Sequence, residues 1–455
     1  MIVTDQLQSW LDSEFTALVD FARRSRTQYG FSTLDAAGNA DEAAGLQLWI
    51  NCRMTHVFCL ATLCGDESAR DFATHGIAAL RENFYDAVYG GFFTNLDHAT
   101  GAPVTEADAR KAAYAHAFVL LASSSGMQAG IPGARELYEL ALDAHESHFW
   151  ESEYGLVCES FDREFTQNED YRSANANMHT LEASLAAWDA TADPRWLEKA
   201  GSILAFVLGE AEKIGWRIPE HFDANWHLLP DFNKDRPADP FRPFGLTPGH
   251  GIEWARLAMH YWAAKTRLDG RSDASNGIDS NDAVAAADAE VPAAPAGAIA
   301  SVAPTDIARE ASELDRLPSR ARALFLQAIA DGWFADGEPG IVYTTDFEGK
   351  PVVHERMHWT VCEALGAAAA FATYGQEVGE ADVVADMERW FDTFLAFAKE
   401  HLIETPGRWI HELDRTNSPS GITWPGKPDV YHAAQCVLMP NLPLTPTFAG
   451  ALKLA

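Results

Sequence analysis

Two stretches of this 455-residue sequence share a grammar suited to moving protons. In Leu246-Thr-Pro-Gly-His-Gly-Ile-Glu-Trp254, His250 sits between two glycines just past Pro248; in Trp424-Pro-Gly-Lys-Pro-Asp-Val-Tyr-His432, His432 follows Pro428 and Asp429. Pro and Asp are helix-start residues, so each histidine is predicted in the first turn of a helix. There the unpaired N–H groups and the positive end of the helix dipole favour the neutral imidazole. A neutral imidazole accepts protons at working pH, and Glu253, one turn on from His250, is placed to fix its tautomer. A helix-capping histidine packed on Trp254 would leave the same local pattern, so the weight falls on what gathers at other helix starts.

The elements that must position these histidines recur along the chain. Residues 5–24 read as an amphipathic helix, with Leu7, Trp10, Leu11, Phe15, Leu18, Val19 and Phe21 on one face. Residues 46–64 then form a helix apolar nearly all round that still carries Arg53, a charge needing a partner or a polar site. From there one unit repeats: an apolar helix, an amphipathic helix and a short hairpin near Asp and an aromatic. Apolar helices are predicted from about Leu46, Lys111, Asn177, His250, Met357 and Tyr431, and hairpins at 89–97, 153–162, 216–226, 339–349 and 408–414. His179 and His250 are 71 residues apart, and His358 and His432 are 74 apart, whereas His250 and His358 are 108 apart. Residues 268–317, free of aromatics and rich in Ala, Asp, Ser, Gly and Pro, account for the excess as a low-complexity, flexible insertion whose later part, 305–317, forms a short helix. Six such pairs, with residues 5–24 as the last outer partner, make an all-α (α/α)6 barrel of one domain over residues 1–455.

In a closed ring of this kind the inner helices start on one side, so their polar first turns meet in one pocket. The set is Arg53; Tyr114 and His116; Asn175, His179 and Glu182; Arg242, His250 and Glu253; His358, Trp359 and Glu363; and Trp424, Lys427, Asp429, His432 and Gln435. Several histidines converging from different helices are hard to attribute to packing. A metal site would want His and carboxylate ligands at tight spacing on one helix; His354-Glu-Arg-Met-His358 has the HExxH spacing but leads into the helix predicted from about Met357 rather than lying on it, and His179-x-x-Glu182 and His250-x-x-Glu253 run in the reverse order to the di-iron pattern. A glycoside hydrolase would need two carboxylates, available among Glu182, Glu253, Glu363 and Glu412. No GxSxG elbow, GxGxxG or P-loop occurs, and no cofactor is expected.

Composition narrows the partners. A formal net charge of −32 repels nucleic acid and anionic membranes, while 14 Trp suit both a large core and surfaces that stack on sugars. The first residues lack a basic segment followed by an apolar run, and no stretch is apolar enough to span a bilayer, so the cytoplasm is the expected compartment. The six cysteines, with no CxxC pair, read as buried reduced thiols.

At these residues the sequence resembles the N-acylglucosamine 2-epimerase superfamily, and most its aldose–ketose isomerase branch of mannose and sulfoquinovose isomerases. The resemblance rests on Trp49-Ile-Asn-Cys-Arg-Met-Thr-His56, Tyr114-Ala-His-Ala-Phe118, Asn175-Ala-Asn-Met-His-Thr-Leu-Glu-Ala183, Pro248-Gly-His-Gly-Ile-Glu-Trp254, His358-Trp-Thr-Val-Cys-Glu-Ala364 and Gly426-Lys-Pro-Asp-Val-Tyr-His432, in order over nearly the whole chain outside 268–317. It implies an (α/α)6 barrel that interconverts an aldose and its ketose, D-mannose and D-fructose foremost, through a cis-enediol without a cofactor. It implies His250 and His432 as the acid/base pair, with Arg53, Tyr114, Asn175, His179, Arg242, Glu253 and Trp359 binding a monosaccharide. Sulfoquinovose is the rival substrate, since Arg53, Arg242 and Lys427 could meet a sulfonate; a 2-epimerase or a non-catalytic sugar-binding module are the other readings.

Overall fold

The computed structural model describes residues 3–276 and 304–454, with the side chains of 269–312 left aside. Most of the predicted insertion therefore lies outside the described residues. Its flanks are helical, since 268–276 end one long helix and 304–317 begin another, so the short helix predicted at 305–317 is the first half of a 29-residue element.

Twelve helices of the described residues build the frame: α1 (Asp5–Ala22), α2 (Leu48–Leu63), α3 (Ala69–Ala79), α4 (Ala113–Gln128), α5 (Ala134–Ala144), α6 (Ala174–Thr191), α7 (Arg195–Lys213), α8 (Pro248–Asn276), α9 (Pro304–Gly332), α10 (His358–Val378), α11 (Ala381–Phe397) and α12 (Tyr431–Leu438). The even-numbered helices form the inner ring, each packed on the next, with α12 returning to α2. The outer helices α3, α5, α7, α9 and α11 each pack behind the inner helix of their own pair, and α1 backs α12. Apolarity decides who goes inside. The described part of α2 is buried almost throughout, as are α4, α6 and α10, whereas α5 and α7 bury one stripe, for example Trp196, Leu197, Ala200, Ile203, Leu204 and Val207 of α7. The core fills the space between the two rings, and the short C-terminal helix Phe448–Leu452 packs against α2 and α4.

Antiparallel pairs within one turn lie at or beside each predicted hairpin: Tyr85 with Phe92, Trp150–Glu151 with Leu156–Val157, Phe222 with Leu228, Thr344–Thr345 with Pro351–Val353, and Ile403–Thr405 with Arg408–Trp409. Elsewhere the residues leading into an inner helix pair with the segment that follows the outer helix behind it: Leu46–Gln47 with Asn95–Leu96, Lys111–Ala112 with Ser160–Phe161, Tyr171–Ser173 with His221–Asp223, and Arg356–Met357 with Glu412–Leu413. Leu246 and Thr345 form the equivalent bridge, and the Lys427 N–H donates to the Leu34 carbonyl at 2.9 Å to close the circle. The extended residues before a helix have backbone groups that the helix cannot satisfy, and the neighbouring segment satisfies them.

A side chain four residues into three inner helices locks this arrangement. Asn51 and Asn177 each donate to the carbonyl four residues back (Gln47, Ser173) and exchange hydrogen bonds with the backbone of Phe31 and Val157. In α4 the place is taken by His116, whose Nδ1 donates to the Ala112 carbonyl at 2.8 Å and whose Nε2 accepts from the Phe92 N–H at 2.9 Å. His116, grouped by sequence with the polar first turns, is thus a staple rather than a pocket residue. Of the cysteines, five are buried and Cys64 is exposed, and none is bridged.

Candidate active site

The first turns of all six inner helices open on one cavity. Its walls include Trp49 and Arg53 from α2, Tyr114 from α4, Asn175 and His179 from α6, His250 and Glu253 from α8, His358 and Trp359 from α10, and His432 from α12. Loop residues Phe241, His411, Trp424 and Asp429 complete it. Every residue expected to act as acid/base or to bind the sugar is here except Arg242, whereas His116, Glu182, Glu363, Lys427 and Gln435, also grouped by sequence at the helix entries, are not in its lining. The Arg242 side chain lines an adjoining cavity, clamped by Glu169 (Nη1 to Oε1 2.7 Å, Nη2 to Oε2 3.0 Å) and stacked over Tyr171.

The two glycines around His250 are explained by packing. A methyl group on Gly249 would come within 2.6 Å of the Trp359 ring, and one on Gly251 within 2.9 Å of Ala328 on α9. The first lets Trp359 lie against the start of α8; the second lets α8 and α9 close up. Trp359 then touches both histidines, with ring centroids 5.3 Å from His250 and 5.8 Å from His432 at similar tilts of 35° and 37°.

Each histidine is oriented by a carboxylate. His250 Nδ1 lies 3.0 Å from both oxygens of Glu220, and His432 Nδ1 lies 2.8 Å from Glu363 Oε1. A carboxylate only accepts, so Nδ1–H donates and the neutral ring keeps its lone pair on Nε2. The partner of His250 is therefore Glu220 and not Glu253: one turn of helix carries Glu253 to the network under the cavity floor, while the ladder between Ser173 and His221 brings in Glu220. Glu220 was missed because it lies in the preceding β-segment, thirty residues away, and nothing local in the sequence marks it; the same carboxylate accepts from the Thr247 N–H ahead of α8.

Beneath the histidines lies a buried charge network. Glu363 Oε2 accepts from Arg256 Nε at 2.6 Å, and Arg256 also stands 3.8 Å from Glu253. Burial pushes the Glu253 carboxyl well above its usual range, with Glu363 nearby adding to it. Glu182 accepts from Tyr431 Oη at 2.5 Å and from His179 Nδ1 at 3.3 Å; against the effect of burial, His179 and Arg256 hold its carboxyl low. Burial lowers His432, with Glu363 opposing, and takes His179 down to about 4. Arg53 pairs with Asp429 at 3.4 Å, donates to Tyr114 Oη at 3.2 Å and is boxed by the rings of Trp49, Phe118 and Tyr431. Its guanidinium is both in an ion pair and on the cavity wall.

His179, Glu182 and Glu253 offer ligand atoms within 4.8 Å of one another, enough to hold a metal ion. Their electrostatic need is already met in part by Arg53 and Arg256, and a further cation would be repelled by both. Lys427 turns away from the cavity, its Nζ donating to the Ala36 carbonyl at 3.0 Å and facing Glu404, so it does not reach a ligand's anionic group as the sequence suggested.

The comparison with known proteins is decisive at this point. The family model for N-acylglucosamine 2-epimerase (GlcNAc 2-epimerase) matches residues 30–295 and 300–436. The chain belongs to the N-acylglucosamine 2-epimerase family. Within this family it is 42% identical to a D-mannose isomerase of Thermobifida fusca over 98% of its own length and 97% of the relative's. It is 40% identical to a D-mannose isomerase of Pseudomonas cannabina pv. alisalensis, over 97% and 94% of the two chains. In fold, this member of the N-acylglucosamine 2-epimerase family matches a crystal structure of D-mannose isomerase with a TM-score of 0.76 at 23% identity, covering 95% of this chain and 97% of the other. It also matches a cellobiose 2-epimerase of Spirochaeta thermophila with a TM-score of 0.68 at 18% identity, covering 96% of both. These last two likenesses establish the (α/α)6 barrel.

Proposed function

We propose that this protein is an aldose–ketose isomerase that interconverts D-mannose and D-fructose, with His250 and His432 as its acid/base pair. The observation that carries the reading is the pair of carboxylate-oriented imidazoles, both in contact with Trp359 and drawn from separate helices into one cavity. The 40–42% identity to D-mannose isomerases over almost the full length supports the substrate.

The chemistry needs few parts. His432 Nε2 takes the O1 proton and passes it to the ring oxygen as the bond from C1 to that oxygen breaks, which opens the pyranose to the aldehyde. His250 Nε2 takes the proton from C2, the C–H pair becomes the C1–C2 double bond, and the carbonyl pair moves onto O1, which takes the O2 proton through His432 and so passes through the cis-enediol stage. His250 then returns its proton to C1 as the O2 pair forms the C2 carbonyl of the ketose. Positioned acid–base groups of this kind contribute about 10² to 10⁴ in rate, and the fixed charge of Arg53 stabilises the oxyanion character between the two proton transfers. Asn175, His179, Glu253, Tyr114 and Trp359 hold the hydroxyls and the apolar face of the sugar. Arg242 orders the neighbouring wall through Glu169 and lines the cavity adjoining the sugar site.

Incubation with D-mannose in D₂O, followed by NMR, tests this. Fructose is expected, with deuterium at C1 wherever the proton on His250 exchanges with solvent before its return; glucose as the main product makes the protein a 2-epimerase, and neither product nor exchange with any hexose makes it a binding module. Equal turnover of sulfoquinovose in direct competition would displace mannose as the preferred substrate.

A further inference from the structure

Glu412, one of four carboxylates that the sequence offered for acid–base work, is outside the cavity wall and fully buried at the end of the strand paired with Arg356–Met357. Its oxygens are already taken. Oε1 accepts from Ser420 Oγ at 2.8 Å and from the Ile422 N–H at 3.0 Å; Oε2 accepts from the Thr423 N–H at 2.9 Å and the Trp424 N–H at 2.6 Å. Four donors fill a carboxylate's capacity, so this group neither moves protons nor attacks carbon. It gathers a strap.

We infer that Glu412 is a positioning residue that pins residues 420–424 and so sets Trp424 as the aromatic wall of the sugar cavity. The inference rests on the proposed isomerase function for its kinetic arm only. Two features support it. Among the described residues the backbone of the strap is held chiefly by Glu412: Ile422 is 78% exposed, and besides the bonds to the carboxylate the Ser420 N–H reaches the Glu412 carbonyl, while the Trp424 ring at its end rests on Tyr343, Val353 and Met357. At its end, Trp424 meets Phe241 edge-on at 5.0 Å and Trp49 at 6.2 Å, closing an aromatic corner of the cavity, before the chain runs into His432. Charge-assisted bonds to backbone N–H groups are the stronger kind, and four on one buried carboxylate fix both the path of the strap and the plane of the ring that follows it.

The test is a substitution of charge at constant size. In Glu412→Gln the amide NH₂ must face N–H donors, and the strap loosens. KM for mannose is expected to rise about tenfold with kcat within about twofold, and the Glu412→Gln/Trp424→Ala double variant is expected to be no worse in KM than Trp424→Ala alone. Labelling with 5-fluorotryptophan, with the Trp424 resonance assigned by Trp424→Phe, gives a readout without turnover: that resonance shifts or broadens in Glu412→Gln while the buried Trp254 signal stays put. Ser420→Ala, which removes one donor from a partly exposed site, shifts the same resonance and raises KM about twofold, and it serves if Glu412→Gln does not fold. An unmoved Trp424 signal in either variant, a fall in kcat at constant KM, or multiplying effects in the double variant overturns the inference. A wild-type protein that makes no ketose, with the Trp424 signal shifted as expected, removes the isomerase reading and leaves the pin in place.

Discussion

At the residue scale, two histidines with the same tautomer lock stand in different company. Glu363 shares its charge with Arg256, whereas among the described residues Glu220 takes its hydrogen bonds from His250 and the Thr247 N–H. Alanine at either His250 or His432 is expected to lower kcat by at least about 10³ with the circular-dichroism spectrum unchanged, since each removes a proton carrier. Glu363 raises the affinity of His432 for a proton against the effect of burial, so Glu363→Gln is expected to move the acid limb belonging to His432 in a kcat/KM–pH profile to lower pH. A limb moved to higher pH contradicts that coupling. The sequence made both histidines legible because helix-start grammar is local. Their carboxylate partners were not: one arrives through a β-ladder and the other from an adjacent inner helix, contacts that no spacing rule encodes.

At the scale of elements, the Gly-His-Gly motif is a packing device. Gly249→Ala pushes a methyl into the Trp359 ring, and overpacking of this sort costs about 1–3 kcal/mol. The expected result is a loss in kcat/KM of about tenfold or more, with a smaller fall in melting temperature than an ordinary core disruption gives. Helix α8 carries the site only at its start. With 29 residues at about 1.5 Å each, its far end lies about 40 Å from His250, so replacing residues 277–303 by a short linker is expected to leave kcat and KM within about twofold of the full chain. The helical pairs were legible because apolarity all round marks an inner helix and a single stripe marks an outer one. The ladders from helix-entry segments to the segments behind them went unread because two-residue strands carry almost no periodic signal, and their partners are chosen by the ring rather than by the turn.

At the scale of the whole molecule, acid is the weak point. Burial lowers the pKa of His56, His179 and His260 to about 4 and that of His116, His145 and His358 to about 3. In the unfolded chain the same groups titrate near 6.5. Between the two values the unfolded state binds more protons, so the stability they lend is complete above about pH 6.5 and is lost as pH falls toward their folded values. Glu253 and Glu159, raised by burial, act in the opposite sense above their usual carboxylate range but do not change the sign near pH 6. Differential scanning calorimetry is expected to show a drop in Tm of about 5–10 °C from pH 7 to pH 5.5; a flat profile would mean that these rings reach water when the protein is folded.

The seam between Leu34 and Lys427 has a consequence for how the protein comes into being. The ribosome delivers residue 34 nearly four hundred residues before its partner, and for all that time the first β-segment waits with its carbonyl unanswered. His432 comes in only with the last stave of the barrel, so a chain interrupted anywhere before it is catalytically silent however well its earlier helices have packed. Turnover in freshly made protein is therefore a direct gauge of ring closure.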